Sequence, residues 1–125
     1  MKRLLMILVI CLSLFTISIF SQTKVRVNFP KHKTERVIIG TIKGKLYIDY
    51  VFRIQQIGSI EVSFSSANKK LSYAVRNPDG FLIDDDSEGK NFIGFAGKIG
   101  DYSVRVYGDR KNLARFKLKI AILKV

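Results

Sequence analysis

Cysteine is the first scarcity. The 125 residues contain one, Cys11, inside a run from Leu4 to Phe20 that carries no charge. Lys2 and Arg3 precede that run and the small Ser21 follows it. This is the three-part layout of a cleaved export signal. A membrane anchor of similar length is disfavoured because no basic flank comes before Lys24. Val9 and Ile10 stand before Cys11 where a lipidation box wants a small residue. The expected organisation is therefore a signal peptide over 1–21 and a single β-sandwich domain over 22–125. That domain has no thiol, which excludes disulfides and thiolate metal sites and leaves packing alone to hold the fold.

Histidine and acid are scarce too. His32 stands alone between Lys31 and Lys33, with no neighbouring acid or second histidine. It can neither activate a serine nor begin a metal site. There are ten Asp and Glu in all. Asp79, Asp84, Asp85, Asp86 and Glu88 crowd one segment, without the alternate-position oxygens and closing Glu of a calcium loop. So local a cluster does not separate two carboxyl pKa values for acid–base work. Gly-rich phosphate cradles are missing as well. The chain reads as a binding module, not an enzyme, with no cofactor and no metal.

Positive charge is what the chain has in excess. With Lys2 and Arg3 set aside, 20 Lys and Arg face 10 Asp and Glu, a balance of about +10. Such a field favours acidic envelope polysaccharide, lipid headgroups or an acidic protein cleft. Nucleic acid is excluded by the export signal and by the lack of a binding motif.

Helical periodicity is absent throughout. Apolar residues instead alternate in short runs: Lys24–Phe29, Arg36–Lys43, Lys45–Ile54, Ser59–Ser65, Leu71–Arg76 and Lys90–Gly97. Asn77-Pro78-Asp79-Gly80 is a strong turn signal. The last stretch, Gly100–Arg115, reads as the first arm and tip of a closing hairpin. Tyr102, Val104 and Val106 share one face and Ser103, Arg105 and Tyr107 the other. Its tip carries Arg110, Lys111, Asn112 and Arg115 after a Gly108-Asp109 pair expected to loosen it, and alternation resumes at Phe116. About eight short strands with turns every 8–12 residues argue an all-β, compact antiparallel β-sandwich.

Three segments carry a resemblance: GTIKGKLYIDYVF (Gly40–Phe52), IGSIEVSFSSAN (Ile57–Asn68) and GDYSVRVYGDRKNLAR (Gly100–Arg115). Together they resemble the periplasmic inhibitors of g-type lysozyme. More distantly they are similar to bacterial pre-peptidase C-terminal (PPC) domains, through Asp49-Tyr50-x-Phe52 and the Gly-x-Tyr-x-Val-x-Val strand. The resemblance implies a PPC-like, jelly-roll-type sandwich in the periplasm, although the signal itself specifies only export and leaves release from the cell open. It also implies a g-type lysozyme partner whose substrate cleft the loops plug. The lysozyme-binding residues would be Tyr47, Asp49, Tyr107, Arg110, Asn112 and Arg115. The alternative is a PPC-like module that holds acidic polysaccharide or a membrane surface on its basic face.

Overall fold

A computed structural model of the chain describes residues 23–30, 34–43, 47–85 and 91–124. The expected signal peptide over 1–21, and His32, Lys45, Asp86, Glu88 and Lys90, lie outside them. Eight strands follow in order: β1 Thr23–Arg26, β2 Glu35–Ile42, β3 Tyr47–Ile54, β4 Gly58–Ser65, β5 Ser72–Arg76, β6 Asn91–Ala96, β7 Gly100–Tyr107 and β8 Ala114–Lys124. They form two four-stranded sheets, β1-β3-β7-β5 and β2-β8-β4-β6. Every consecutive pair of strands is therefore split between the sheets. Apart from β1, this is jelly-roll connectivity.

The closing hairpin is not formed. β7 pairs with β3 and β5, whereas β8 pairs with β2 and β4. The segment between them is an arch from one sheet to the other. Alternation places Tyr102, Val104 and Val106 on one inner face and Phe116, Leu118 and Ile120 on the facing one, and all six are buried. A hairpin would have left the opposite sheet without one of these two rows. A second departure is β1, which pairs parallel with β3, so the sandwich is not wholly antiparallel. All four β1 residues are exposed, and one residue beyond the strand the Val27 N–H donates to the Val51 carbonyl at 2.8 Å.

The core lies between the sheets. Phe52 and Tyr102 stack with ring centroids 6.2 Å apart, and Phe64 and Phe116 stack at 5.8 Å. Tyr102 is 1% exposed, yet its hydroxyl is satisfied. It donates to the Lys98 carbonyl at 2.7 Å and accepts from the Lys98 N–H at 3.1 Å, which is the arrangement of a tyrosine corner. The expected turn at Asn77 forms: its side-chain oxygen accepts from the N–H groups of Asp79 and Phe81, and Gly80 takes φ 87°. The strap that follows closes one side of the sandwich. Leu82 bridges to Arg76 beside β5, and Asp85 accepts from the Ile93 N–H on β6 at 3.2 Å.

Candidate functional site

One end of the sandwich gathers the polar residues that the sequence singled out. Tyr47 begins β3 and Tyr107 ends β7, and the register sets them opposite each other, with Asp49 opposite Arg105. All four share the outer face of their sheet, because side chains two apart on a strand point the same way. The Arg105 Nε donates to Asp49 Oδ1 at 2.7 Å, and its Nη2 donates to Oδ2 at 3.0 Å. The same guanidinium lies 3.8 Å from the centroid of the Tyr47 ring, and the Tyr47 and Tyr107 rings approach to 6.1 Å.

These contacts explain a burial that strand pattern alone would not place. Asp49 is 4% exposed although it faces outward. Arg105 covers it, and the two-pronged, charge-assisted pairing offsets the loss of water. Chiefly through the hydrogen bond it donates to Asp49, the Arg105 guanidinium holds its proton even more firmly than usual. Alternation put Arg105 on the Tyr107 face without marking it as functional. Only the β3–β7 register turns it into the partner of Asp49 and the support under Tyr47.

The β7–β8 arch supplies the second half of the site, and its tip is not loose. Asp109 is 5% exposed. Its carboxylate accepts from Asn68 Nδ2 at 2.9 Å, the Lys111 N–H at 3.1 Å and Asn112 Nδ2 at 3.2 Å. The hydrogen bond from Asn68 leads these in holding its carboxyl pKa down at about 2. Ser66 Oγ donates to the Arg115 carbonyl at 2.6 Å and accepts from the Asn68 N–H at 3.1 Å. The Asn68 side-chain oxygen in turn accepts from the Lys70 N–H at 3.0 Å. Two loops are thus laced together across 41 residues of chain by one carboxylate and one amide.

The sequence-expected residues separate into three groups. Tyr47, Asp49 and Tyr107 form one cluster with Arg105. Asn112 is exposed, but one of its amide donors goes to Asp109. Arg110 and Arg115 are exposed and make no ion pair among the described residues. Arg115 opposes Thr41 on the outer face of the other sheet. The two arginines therefore reach out from the rim where the sheets meet, and the tyrosine pair lies on one flank of it. Among the described residues no three His, Cys, Asp or Glu side chains come together as metal ligands.

The fold is an all-β sandwich of eight strands in two four-stranded sheets. Among solved structures, the fold is similar to the Aeromonas hydrophila periplasmic inhibitor of g-type lysozyme, PliG. The TM-score is 0.72 at 19% identity, over 82% of this chain and 97% of that one. A mutant of the Escherichia coli PliG inhibitor aligns with TM-score 0.63 at 23% identity, over 82% of this chain and 99% of that one. The pre-peptidase C-terminal domain of a Bacillus anthracis collagenase aligns at 0.55 and 14% identity, over 80% and 94%. No family model matches the chain, and no curated protein matches it in sequence.

Proposed function

We propose that the protein is an exported, periplasmic inhibitor of g-type lysozyme that occludes the enzyme's substrate cleft and performs no chemistry of its own. The observation that carries the reading is the braced arch: Asp109 holds in place the loop that bears Arg110 and leads to Arg115 at the start of β8, two guanidiniums with no ion pair among the described residues. The likeness of the whole sandwich to the PliG inhibitors supports it. A lysozyme cleft offers a catalytic carboxyl group and polar sugar subsites. Guanidinium pairs with carboxylate in a fork, and tyrosine covers the surface a sugar ring would cover. A loop ordered before docking loses little entropy on binding, so a small plug can hold tightly.

In this reading Arg110 and Arg115 enter the cleft and Tyr47 and Tyr107 pack along its wall. Asn112 orders the arch through Asp109 and offers its remaining amide atoms to the partner, and Asp49 acts by fixing Arg105. The test is residual activity of a goose-type lysozyme on peptidoglycan, titrated with the protein, with a chicken-type lysozyme in parallel. Loss of only the goose-type activity near one equivalent is expected. Arg110→Ala and Arg115→Ala should each weaken inhibition about ten- to a hundredfold, the range of a lost charge-assisted contact at an interface. Full inhibition by the double variant would remove the arch from the site, and no inhibition by the unaltered protein would overturn the reading.

A further inference from the structure

At the other end of the sandwich, between the last residues of β3 and β8 and the segment after β1, is an open cleft of about 720 Å³. That volume falls in the range of small-molecule sites, about 300–1,000 Å³. Its polar wall is made by Arg26, Asn28, Thr34, Arg53, Gln55 and Gln56. Its apolar side is Val27, Ile54 and Ile122 with the ring of Phe29, which Phe52 holds edge-on at 6.2 Å and 88°. We propose that this cleft binds a carboxylate-bearing saccharide.

Charge selects the carboxylate. Arg26 is committed to Asp101 at 3.1 Å, whereas Arg53 stands 3.9 Å from the same carboxylate. The second distance is beyond hydrogen-bonding range, so the donor fork of Arg53 stays available. Among the described residues that line the cleft the charged groups are two guanidiniums, and the Asp101 carboxylate engages Arg26. An acidic group on the ligand would pair with the other. The rest of the wall selects the sugar. The side chains of Asn28, Gln55, Gln56 and Thr34 make no hydrogen bond among the described residues, so three amides and a hydroxyl remain to meet ring hydroxyl and acetamido groups. The Arg36 Nη1 donates to the Asn28 carbonyl at 3.3 Å and steadies that wall. A partly open aromatic ring beside them suits the apolar face of a pyranose.

The cleft is remote from the arch. Tyr47 and Ile54 are the two ends of β3, about 23 Å apart at the rise of an extended strand. A saccharide here leaves the arch free for a protein partner. In an exported chain, one end could be anchored on an acidic glycan while the other engages an enzyme that attacks glycan, which raises the effective concentration where it matters. The cleft proposal does not depend on the inhibitor reading.

Acidic sugars of two sources share this chemistry, muramic acid of peptidoglycan and uronic acids of envelope polysaccharide. The test is an amide NMR titration of the isotopically labelled protein, expressed with its own leader and purified as the cell exports it. Three probes are used: the N-acetylglucosaminyl–N-acetylmuramic acid disaccharide, a galacturonate oligosaccharide, and neutral tri-N-acetylglucosamine. Shifts confined to Asn28, Thr34 and Arg53–Gln56 with either acidic probe, and at least tenfold weaker binding of the neutral one, are expected. Which acidic probe binds tells the source. Arg53→Gln and Gln56→Ala should each weaken binding about tenfold or more, while lysozyme inhibition by both variants stays unchanged. Equal binding of the neutral trimer, shifts scattered over surface lysines, or no shift at millimolar probe would overturn the proposal.

Discussion

Asp109 carries more of the arch than its charge suggests. Three donors converge on its carboxylate, and its pKa is lowered to about 2 from an ordinary value of 3.8. A carboxyl group whose folded pKa is depressed contributes stability that is fully present above the unfolded value. That contribution is lost as pH falls through the folded one. The arch should therefore stay laced down to about pH 4 and come undone between there and about pH 2. The Lys111 amide resonance should titrate with a midpoint near 2, and a midpoint near 4 would show that the carboxylate is not held. Asp49 makes a different case at the same scale. Asp49→Ala leaves the Arg105 guanidinium half-covered without its counter-charge and should cost about 2–3 kcal/mol in denaturant unfolding. A double-mutant cycle with Arg105→Ala should return a coupling above about 1 kcal/mol.

At the scale of the element, two positions show how a strand is held against its neighbours. In β2, a Cβ on Gly40 would lie 2.6 Å from the Phe116 ring and 3.1 Å from the Tyr50 hydroxyl. Gly40→Ala raises intrinsic strand propensity and should nonetheless destabilise by about 1–3 kcal/mol, because a packed core yields little to an added methyl. In β7, Tyr102→Phe keeps the stacking on Phe52 and removes the hydroxyl that serves both backbone groups of Lys98. A loss of about 1–3 kcal/mol follows from leaving part-buried groups without a partner, with faster hydrogen exchange at the Lys98 amide as its local signature. An unchanged exchange rate there would mean that the corner does not pin the turn. The register of β3 on β7 is the element-level event that builds the site, since a slip of one residue would turn Asp49 and Tyr47 into the core.

Over the whole molecule, the two ends of the sandwich differ in chemistry. The arch end presents free guanidiniums beside two tyrosines. The far end has an open cleft lined, among the described residues, by three amides and two guanidiniums. The chain carries a formal surplus of 12 positive charges, so encounter with any acidic partner should slow as salt rises. Rate and affinity should respond differently. Raising ionic strength from about 0.01 to 0.15 M shortens the Debye length from about 30 to 8 Å, and the association rate with an acidic partner should fall by about tenfold or more. The dissociation rate should change far less, since it reports the desolvated contacts. Surface-binding kinetics at the two salt concentrations would separate these effects.

Strand positions, the turn at Asn77–Gly80 and the inward rows Tyr50-Phe52-Ile54, Tyr102-Val104-Val106 and Phe116-Leu118-Ile120 were determined by sequence alone. Alternation with period two declares which side chains must leave water, and Pro and Gly declare where the chain must turn. That Cys11 is the one cysteine of the chain likewise needed no coordinates. Partnership was another matter. A run such as Ser103–Tyr107 alternates identically whether its neighbour is the next strand or one far along the chain. The arch at Gly108–Leu113 therefore read as a hairpin until both inner rows required opposite sheets. The pairing of Asp49 with Arg105, the lacing of Asn68 to Asp109 and the far cleft each join segments dozens of residues apart. Such contacts are set by register and sheet packing, which depend on the burial of all the strands at once and leave no mark in any one of them.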